Sequence, residues 1–281
     1  MCISNSVGNG GVNAANDVRC IQLLLNMNRD RCGLASDLKV DGAWGPSSAA
    51  ALATFCKAIG ARSDTPITAN DEILDALRRG LPPALVRQKL WIVMTSAQAA
   101  RIDDFFNAIL ATMNRYQINT PLRIAHFLAQ IAHESGCLRY TEEIASGEAY
   151  EGRVDLGNTQ PGDGPLFKGR GLIQLTGRAN YRDYGKACGK NFETTDKPTL
   201  VATDPDLAVD VAGWFWDKRQ LNALADRDDL REITRRVNGG FNGLAERADF
   251  LARAKWLLVR DDAPVADKGA KTANGQENSA A

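Results

Sequence analysis

Residues 124–143 read IAHFLAQIAHESGCLRYTEE. Ile124, Phe127, Leu128 and Ile131 recur at three- and four-residue spacing, the apolar stripe of an amphipathic helix. Pro121 suits the first turn of that helix, where its fixed φ and missing N–H cost nothing, and Ser135-Gly136 ends it. The spacing thus predicts a helix over 120–134 with Glu134 in its last turn. That turn is the negative end of the helix dipole, where a carboxylate resists ionisation. A general acid working near neutral pH needs this behaviour. The plainer alternative is a solvated Glu that happens to end a helix.

Outward from this segment the same periodicity recurs. Helices are expected over 84–94, 96–117, 177–188, 205–216, 224–237 and 244–259. Residues 135–170 are rich in Gly, Glu and Asp and read as loop. Few stretches alternate apolar and polar residues, so the fold class is mainly α with at most a small sheet. Upstream, Val18, Ile21, Leu24 and Leu25 mark another helix, Asp41-Gly42 a tight turn, and Ser47 or Ser48 the cap of a helix over 49–58. A short helical pattern at 71–79 ends at Gly80 and Pro82-Pro83. Four segments follow: a flexible lead-in (1–11), a small three-helix module with its linker (12–80), a large helical domain (84–260) and a disordered tail (261–281). The break at Gly80–Pro83 shows few candidate core residues, so a chain lacking 1–80 is expected to fold.

Composition narrows the function classes. Of 281 residues, 44% are hydrophobic and 24% charged, which excludes wholesale disorder. Lys+Arg 34 against Asp+Glu 34 leaves no net field to recruit nucleic acid or an anionic membrane. No apolar run approaches the roughly 18–20 residues of a membrane helix. The first eighteen residues lack Lys, Arg and an apolar run, so no signal peptide of the usual design is expected. Synthesis in a reducing cytoplasm follows, with Cys2, Cys20, Cys32, Cys56, Cys137 and Cys188 as free thiols.

A second carboxylate lies close after Glu134, and both Glu142 and Glu143 are candidates. One protonated and one ionised carboxylate at the mouth of a cleft are the working parts of glycoside hydrolysis. Metal chemistry is unfavoured: His126 and His133 are about two helical turns apart, and His133-Glu134 lacks the x-x-His of a zinc protease helix. Cys137 reads as a structural thiol rather than a nucleophile. Residues 167–177, FKGRGLIQLTG, suggest an extended wall leaving a tight glycine loop, with Gln174 and Thr176 on one face. A purely structural glycine turn is the alternative, and no phosphate-loop pattern is present.

Together these residues resemble the family 19 glycoside hydrolases, the chitinase-like lysozymes found in phage endolysins. The resemblance is carried by 129–136 (AQIAHESG), Glu142-Glu143, 169–176 (GRGLIQLT), Asn180-Tyr181 and Asn238-Gly239-Gly240, in the family's order. It implies a lysozyme-like helical domain in which Glu134 is the general acid, Glu143 the base that activates water, and Thr176 a holder of that water. Gln174, Asn180, Tyr181, Asn238 and Arg247 are the implied substrate-side residues. Two departures stand out: the loop from Glu143 to Gly169 is shorter than in many plant relatives, and Phe241-Asn242 stands where plant chitinases carry a Glu. Residues 12–58 resemble a small helical peptidoglycan-binding domain through 18–23 (VRCIQL) and 41–46 (DGAWGP). There Trp44 is either a stacking surface for the ligand or a core residue under the turn.

The resemblance implies a modular peptidoglycan hydrolase of lysozyme type, monomeric, without cofactor or metal, cutting β-1,4 bonds of the bacterial wall with inversion. Its partner is peptidoglycan, and no nucleic acid is expected. Made in the bacterial cytoplasm, it would reach the wall after holin-type release or export. A chitinase and a catalytically inactive wall-binding protein are the rivals.

Overall fold

The computed structural model describes residues 1–194 and 197–259; the tail expected at 261–281 lies outside the described residues. Among them are thirteen α-helices. The first three are α1 (Ala15–Met27), α2 (Pro46–Ile59) and α3 (Glu72–Arg79), followed by α4 (Arg87–Val93), α5 (Ala99–Arg115) and α6 (Pro121–Glu134). Then come α7 (Asp163–Leu166), α8 (Arg178–Cys188), α9 (Leu200–Thr203) and α10 (Pro205–Lys218). The chain ends with α11 (Leu221–Ala225), α12 (Leu230–Asn238) and α13 (Leu244–Leu258). Pairing of extended backbone is confined to isolated bridges, as a mainly α chain with at most a small sheet requires.

Helix α6 is the axis of the fold. Thr120 caps it through Arg123 N, Pro121 opens it, and Ala125 to Ala132 are all buried. A helix buried on every side belongs in a core rather than on a surface. Along it lies α13, while α5 packs against α10, and Phe127 meets Trp216 edge-to-face at 5.4 Å. A second apolar cluster, with Phe167, Tyr181, Tyr184 and Phe192 at its centre, sits beneath the loop that follows α7.

Three local expectations change. Helix α2 starts at Pro46, with Gly45 as its extended N-cap, so neither Ser47 nor Ser48 is the cap; proline at the first position sets the boundary. The helix expected over 224–237 is divided, because Asp228 takes φ 58° and Asp229 then caps α12 through Glu232 N. The lead-in 1–11 is fastened down: Cys2, Ile3 and Val7 are buried, Val7 bridges Ile67, and Ser4 N and Asn5 N donate to the Asp17 carboxylate. Its Gly/Asn composition concealed three apolar anchors.

The N-terminal helices share one apolar core with the rest of the chain, which runs from Cys2 to Leu258. Helix α1 packs on α4, Leu81 is 3% exposed, and Arg78 Nη2 donates to Val259 O at 2.6 Å. The Lys89 ammonium, wholly buried, binds the carbonyls of Pro82 and Pro83. Gly80, Pro82 and Pro83 are exposed, and the segment is tied to the fold through Leu81 and the two proline carbonyls.

Candidate active site

Glu134 closes α6 with its side chain 18% exposed. Its Oε1 is bound by Arg247 from α13, a guanidinium with no exposed surface. The same guanidinium donates to Gln130 Oε1, one turn back on α6. Arg247 was expected on the substrate side; its burial makes it instead a support under Glu134. That correction has a physical basis, since a buried cation requires a carboxylate or several acceptors around it, and Glu134 with Gln130 supplies them. Oε2 of Glu134 makes no hydrogen bond among the described residues.

Directly after Glu134 the chain reverses. Gly136, Cys137 and Leu138 take φ of 55°, 59° and 66°, a left-handed run that glycine adopts freely but cysteine and leucine adopt at a cost. Ser135 holds it: its hydroxyl donates to Ile131 O and accepts from Leu138 N, while Tyr140 N bonds Ser135 O. Such strain persists only where the surroundings over-determine it, typically at functional sites. Next to the acid, His133 Nδ1 and Glu246 Oε2 are 2.5 Å apart. A side chain at Gly243 (φ 71°) would collide with the same imidazole.

The reversed chain pairs with the glycine loop. Glu142 and Arg170 form a bridge, and Arg170 bridges Leu175 in turn. Residues 171–174 are a turn, which interrupts the extended wall expected within 167–177. Gly171 has φ 87° and Leu172 N bonds Ala208 O, which fold the segment onto α10. Gln174 turns back to donate to Gly171 O, and Thr176 Oγ1 donates to Gln174 O.

The two adjacent glutamates separate cleanly. Glu142 Oε1 accepts from Arg170 Nε at 2.8 Å and lies 3.5 Å from Lys168 Nζ. Arg170, itself 5% exposed, also binds Leu166 O and the Tyr181 hydroxyl. Glu142 is thus fixed in an ion-paired cluster. Glu143 accepts instead from neutral donors, Tyr150 Oη at 3.0 Å and Gly169 N at 3.1 Å. Burial and the adjoining Glu143 push the Tyr150 hydroxyl up, so Tyr150 keeps its proton and donates it. A carboxylate held by neutral donors, with no cation to neutralise it, is free to accept a proton from water. Ile144 beside it is 84% exposed, and the backbone bond from Glu143 N to Gly169 O anchors the segment.

Of the expected substrate-side residues, Gln174, Thr176 and Asn180 come together, with Leu175, Trp214, Phe215, Lys218 and Arg219, around a cavity of about 320 Å³. Asn180 is held by Thr176 O. Tyr181 does not face this cavity: it is fully buried, packs on Phe167 and bonds Lys168 O. Asn238 ends α12 exposed, with Phe241 beside it under the Arg231 guanidinium. Tyr150 and Trp214 were missed by the sequence reading. Tyr150 lies in the Gly-rich loop, which shows no apolar periodicity, and Trp214 lies on a helix far along the chain from the catalytic candidates, so the sequence pattern pointed to neither.

In the N-terminal unit a groove of about 450 Å³ runs past Gln22, Leu34, Asp41, Ala43 and Pro46. Gln22 organises it by bonding Asp41, Ala43 O and Gly42 N. Trp44 is partly buried against the core, and its Nε1 donates to Asn9. The two histidines serve separate carboxylates, His126 pairing with Asp228 at 2.8 Å.

Comparison with known proteins agrees with this architecture. The family model for class I chitinases matches residues 106–229. A glycosyl hydrolase family 19 domain-containing protein of Haemophilus influenzae is 32% identical over 192 residues, covering 57% of this chain and 91% of its own. The chain belongs to glycoside hydrolase family 19. An endochitinase of Arabidopsis thaliana is 40% identical over 117 residues, covering 42% of this chain, which spans only 39% of that protein. Among solved structures, a class IV family 19 chitinase from Zea mays superposes with a TM-score of 0.51 at 24% identity, over 64% of this chain and 95% of its own. That likeness is one of fold.

Proposed function

We propose that this chain is a peptidoglycan hydrolase of lysozyme type, cutting β-1,4 bonds between the amino sugars of the bacterial wall. The observation that carries the reading is the unequal dressing of its carboxylates: Glu134 on a rigid helix end beside Arg247, Glu143 on neutral donors, Glu142 neutralised by Arg170. Glu134 protonates the leaving oxygen while Glu143 draws a proton from water on the opposite face of the sugar, which inverts the anomeric centre. Thr176, Gln174 and Asn180 offer hydroxyl and amide groups to that water and to the substrate.

The wall, rather than chitin, is favoured by the N-terminal groove and its resemblance to a wall-binding unit. Phe241-Asn242 and the short loop after Glu143 support the same reading. In this reading the protein acts as a monomer without cofactor and reaches the wall by holin-type release or export, as a phage lysis enzyme or an antibacterial effector. A chitinase is the second reading, favoured by the endochitinase among its relatives. Turbidity loss on permeabilised Gram-negative cells, set beside release of sugar from colloidal chitin, separates the two. In the same assay Glu134→Gln, nearly isosteric but without an acidic proton, is expected to lose about 10²–10⁴-fold in rate while staying folded. A folded variant keeping more than roughly a tenth of the rate would overturn the assignment of Glu134.

A further inference from the structure

On the loop that follows Glu134 there is a further cavity, of about 420 Å³, lined by Ser96, Gln98, Arg101, Gly136, Cys137 and Arg139. It contains none of the residues assigned above to bond cleavage. Two of its five polar or reactive side chains are guanidinium groups. Arg101 spends its Nε on Leu138 O at 2.8 Å and stacks over Phe105. Arg139 lies over the ring of Tyr140. Neither has a carboxylate partner among the described residues. Most arginines of this protein's functional half behave differently: Arg115, Arg123, Arg153, Arg170, Arg178, Arg182 and Arg247 each hold an acid. The acid acting on the Cys137 thiol is Glu246, already engaged by His133.

We propose that this cavity binds a carboxylate of the wall's stem peptide. The argument rests on the peptidoglycan reading and deepens it. Guanidinium groups present paired N–H donors in a planar fork that matches a carboxylate, and an arginine backed by an aromatic ring is held ready for such a pair. Position fits as well. Arg139 is five residues after Glu134, so its Cα lies within about 18 Å of the acid's even for a fully extended chain. The Tyr140 N to Ser135 O bond draws the loop in further. A peptide hanging from a sugar bound at Glu134 therefore has the reach. Chitin carries no carboxylate, so the cavity would give the enzyme a means of preferring wall glycan over a neutral amino-sugar polymer.

The test compares two substrates and one small ligand. Intact sacculi and sacculi whose stem-peptide carboxylates have been converted to amides with a carbodiimide and ammonia are digested side by side, by the full chain and by Arg139→Glu. For the wild type the intact wall is expected to be cut about tenfold faster, the worth of one charge-assisted pair. In the variant that ratio falls toward one. Separately, the free tripeptide L-Ala-D-Glu-diaminopimelate is titrated against the protein by NMR, with inorganic phosphate as a control. Saturable shifts for Gly136 and Arg139 with the peptide, weakened about tenfold by Arg139→Glu, support the site. Equal rates on the two walls with no peptide binding would overturn it, as would phosphate binding as tightly as the peptide. Failure to cut either wall would instead defeat the peptidoglycan reading, and the titration alone would then decide the cavity.

Discussion

Arg247 of α13 and Glu134 of α6 form an ion pair across the two longest-packed helices of the fold, with the guanidinium wholly buried. The third party is the amide of Gln130, not a second carboxylate. Breaking such a pair from the cationic side strands a carboxylate and an amide oxygen, at a cost of about 3–5 kcal/mol. Arg247→Met is expected to lose that much stability in urea unfolding, and to be inactive even where it remains folded. Arg247→Lys, which keeps the charge but not the fork reaching both acceptors, should fall between. Wild-type stability in Arg247→Met would show that the pair does not hold Glu134.

Glu142 and Glu143 invite a paired test. Tyr150 and Gly169 donate to different oxygens of Glu143, so Glu143→Gln keeps an acceptor for only one of them. It cannot take a proton, and it should stay folded at a modest cost in stability and lose about 10²-fold or more in rate. Glu142→Gln should act on stability instead, because Arg170 loses its only carboxylate while remaining almost buried; about 1–3 kcal/mol is expected. Lysis rates and thermal melts of both variants check it. A rate loss confined to Glu142→Gln would reverse the assignment.

What the sequence made legible follows from period and order. Helix α6, its proline start and its Glu134 end are local features, set by the 3.6-residue repeat and by Ser135-Gly136. The loop pairing of 141–143 with 169–171 was out of reach, since two bridges leave no alternating pattern to read. Arg247 shows the other limit. Its helix was foreseen, but its burial depends on α13 lying along α6, a tertiary fact that no window of sequence contains. Likewise the lead-in 1–11 looked mobile by composition, whereas Cys2, Ile3 and Val7 find partners far along the chain.

A pH dependence is built in at His126. Burial pushes its pKa below the ordinary 6.5, and the Asp228 bond opposes this without cancelling it. The folded state thus binds the proton less readily than the unfolded chain. Stability from this group is fully present above about pH 6.5 and is lost as the pH falls toward the folded value. Asp228 itself is held below the usual carboxylate range: burial raises it, but Lys255 and His126 outweigh that, so its contribution fades only in stronger acid. Urea midpoints at pH 7.5 and 5.5 should therefore drop on acidification, and His126→Gln should flatten the difference. An equal drop in the variant would locate the pH sensitivity elsewhere.

The last test concerns the first eighty residues. The sequence alone suggests that removing them leaves a competent catalytic domain. The packing argues for a different outcome. Val18, Ile21, Leu24 and Leu25 of α1 belong to the core that includes Leu90, Ile92 and Val93 of α4, and α4 in turn touches α5, α6 and α13. Cutting at residue 80 would expose that face of α4 and remove the Arg78 bond to Val259 O, together with its stacking on Trp256. An apolar face freed this way is an aggregation liability. Each buried Leu or Ile side chain that loses its cover forfeits about 1.5–3 kcal/mol, so two or three such losses match a large share of a typical domain's stability. A chain of residues 81–281 is accordingly expected to melt well below the full chain or to aggregate. Leu24→Ala in the full chain, a milder probe of the same contact, should cost about 2–5 kcal/mol in one cooperative transition that also abolishes lysis. Two separate transitions, with only the first moved by Leu24→Ala, would show instead that the N-terminal unit folds independently of the catalytic one.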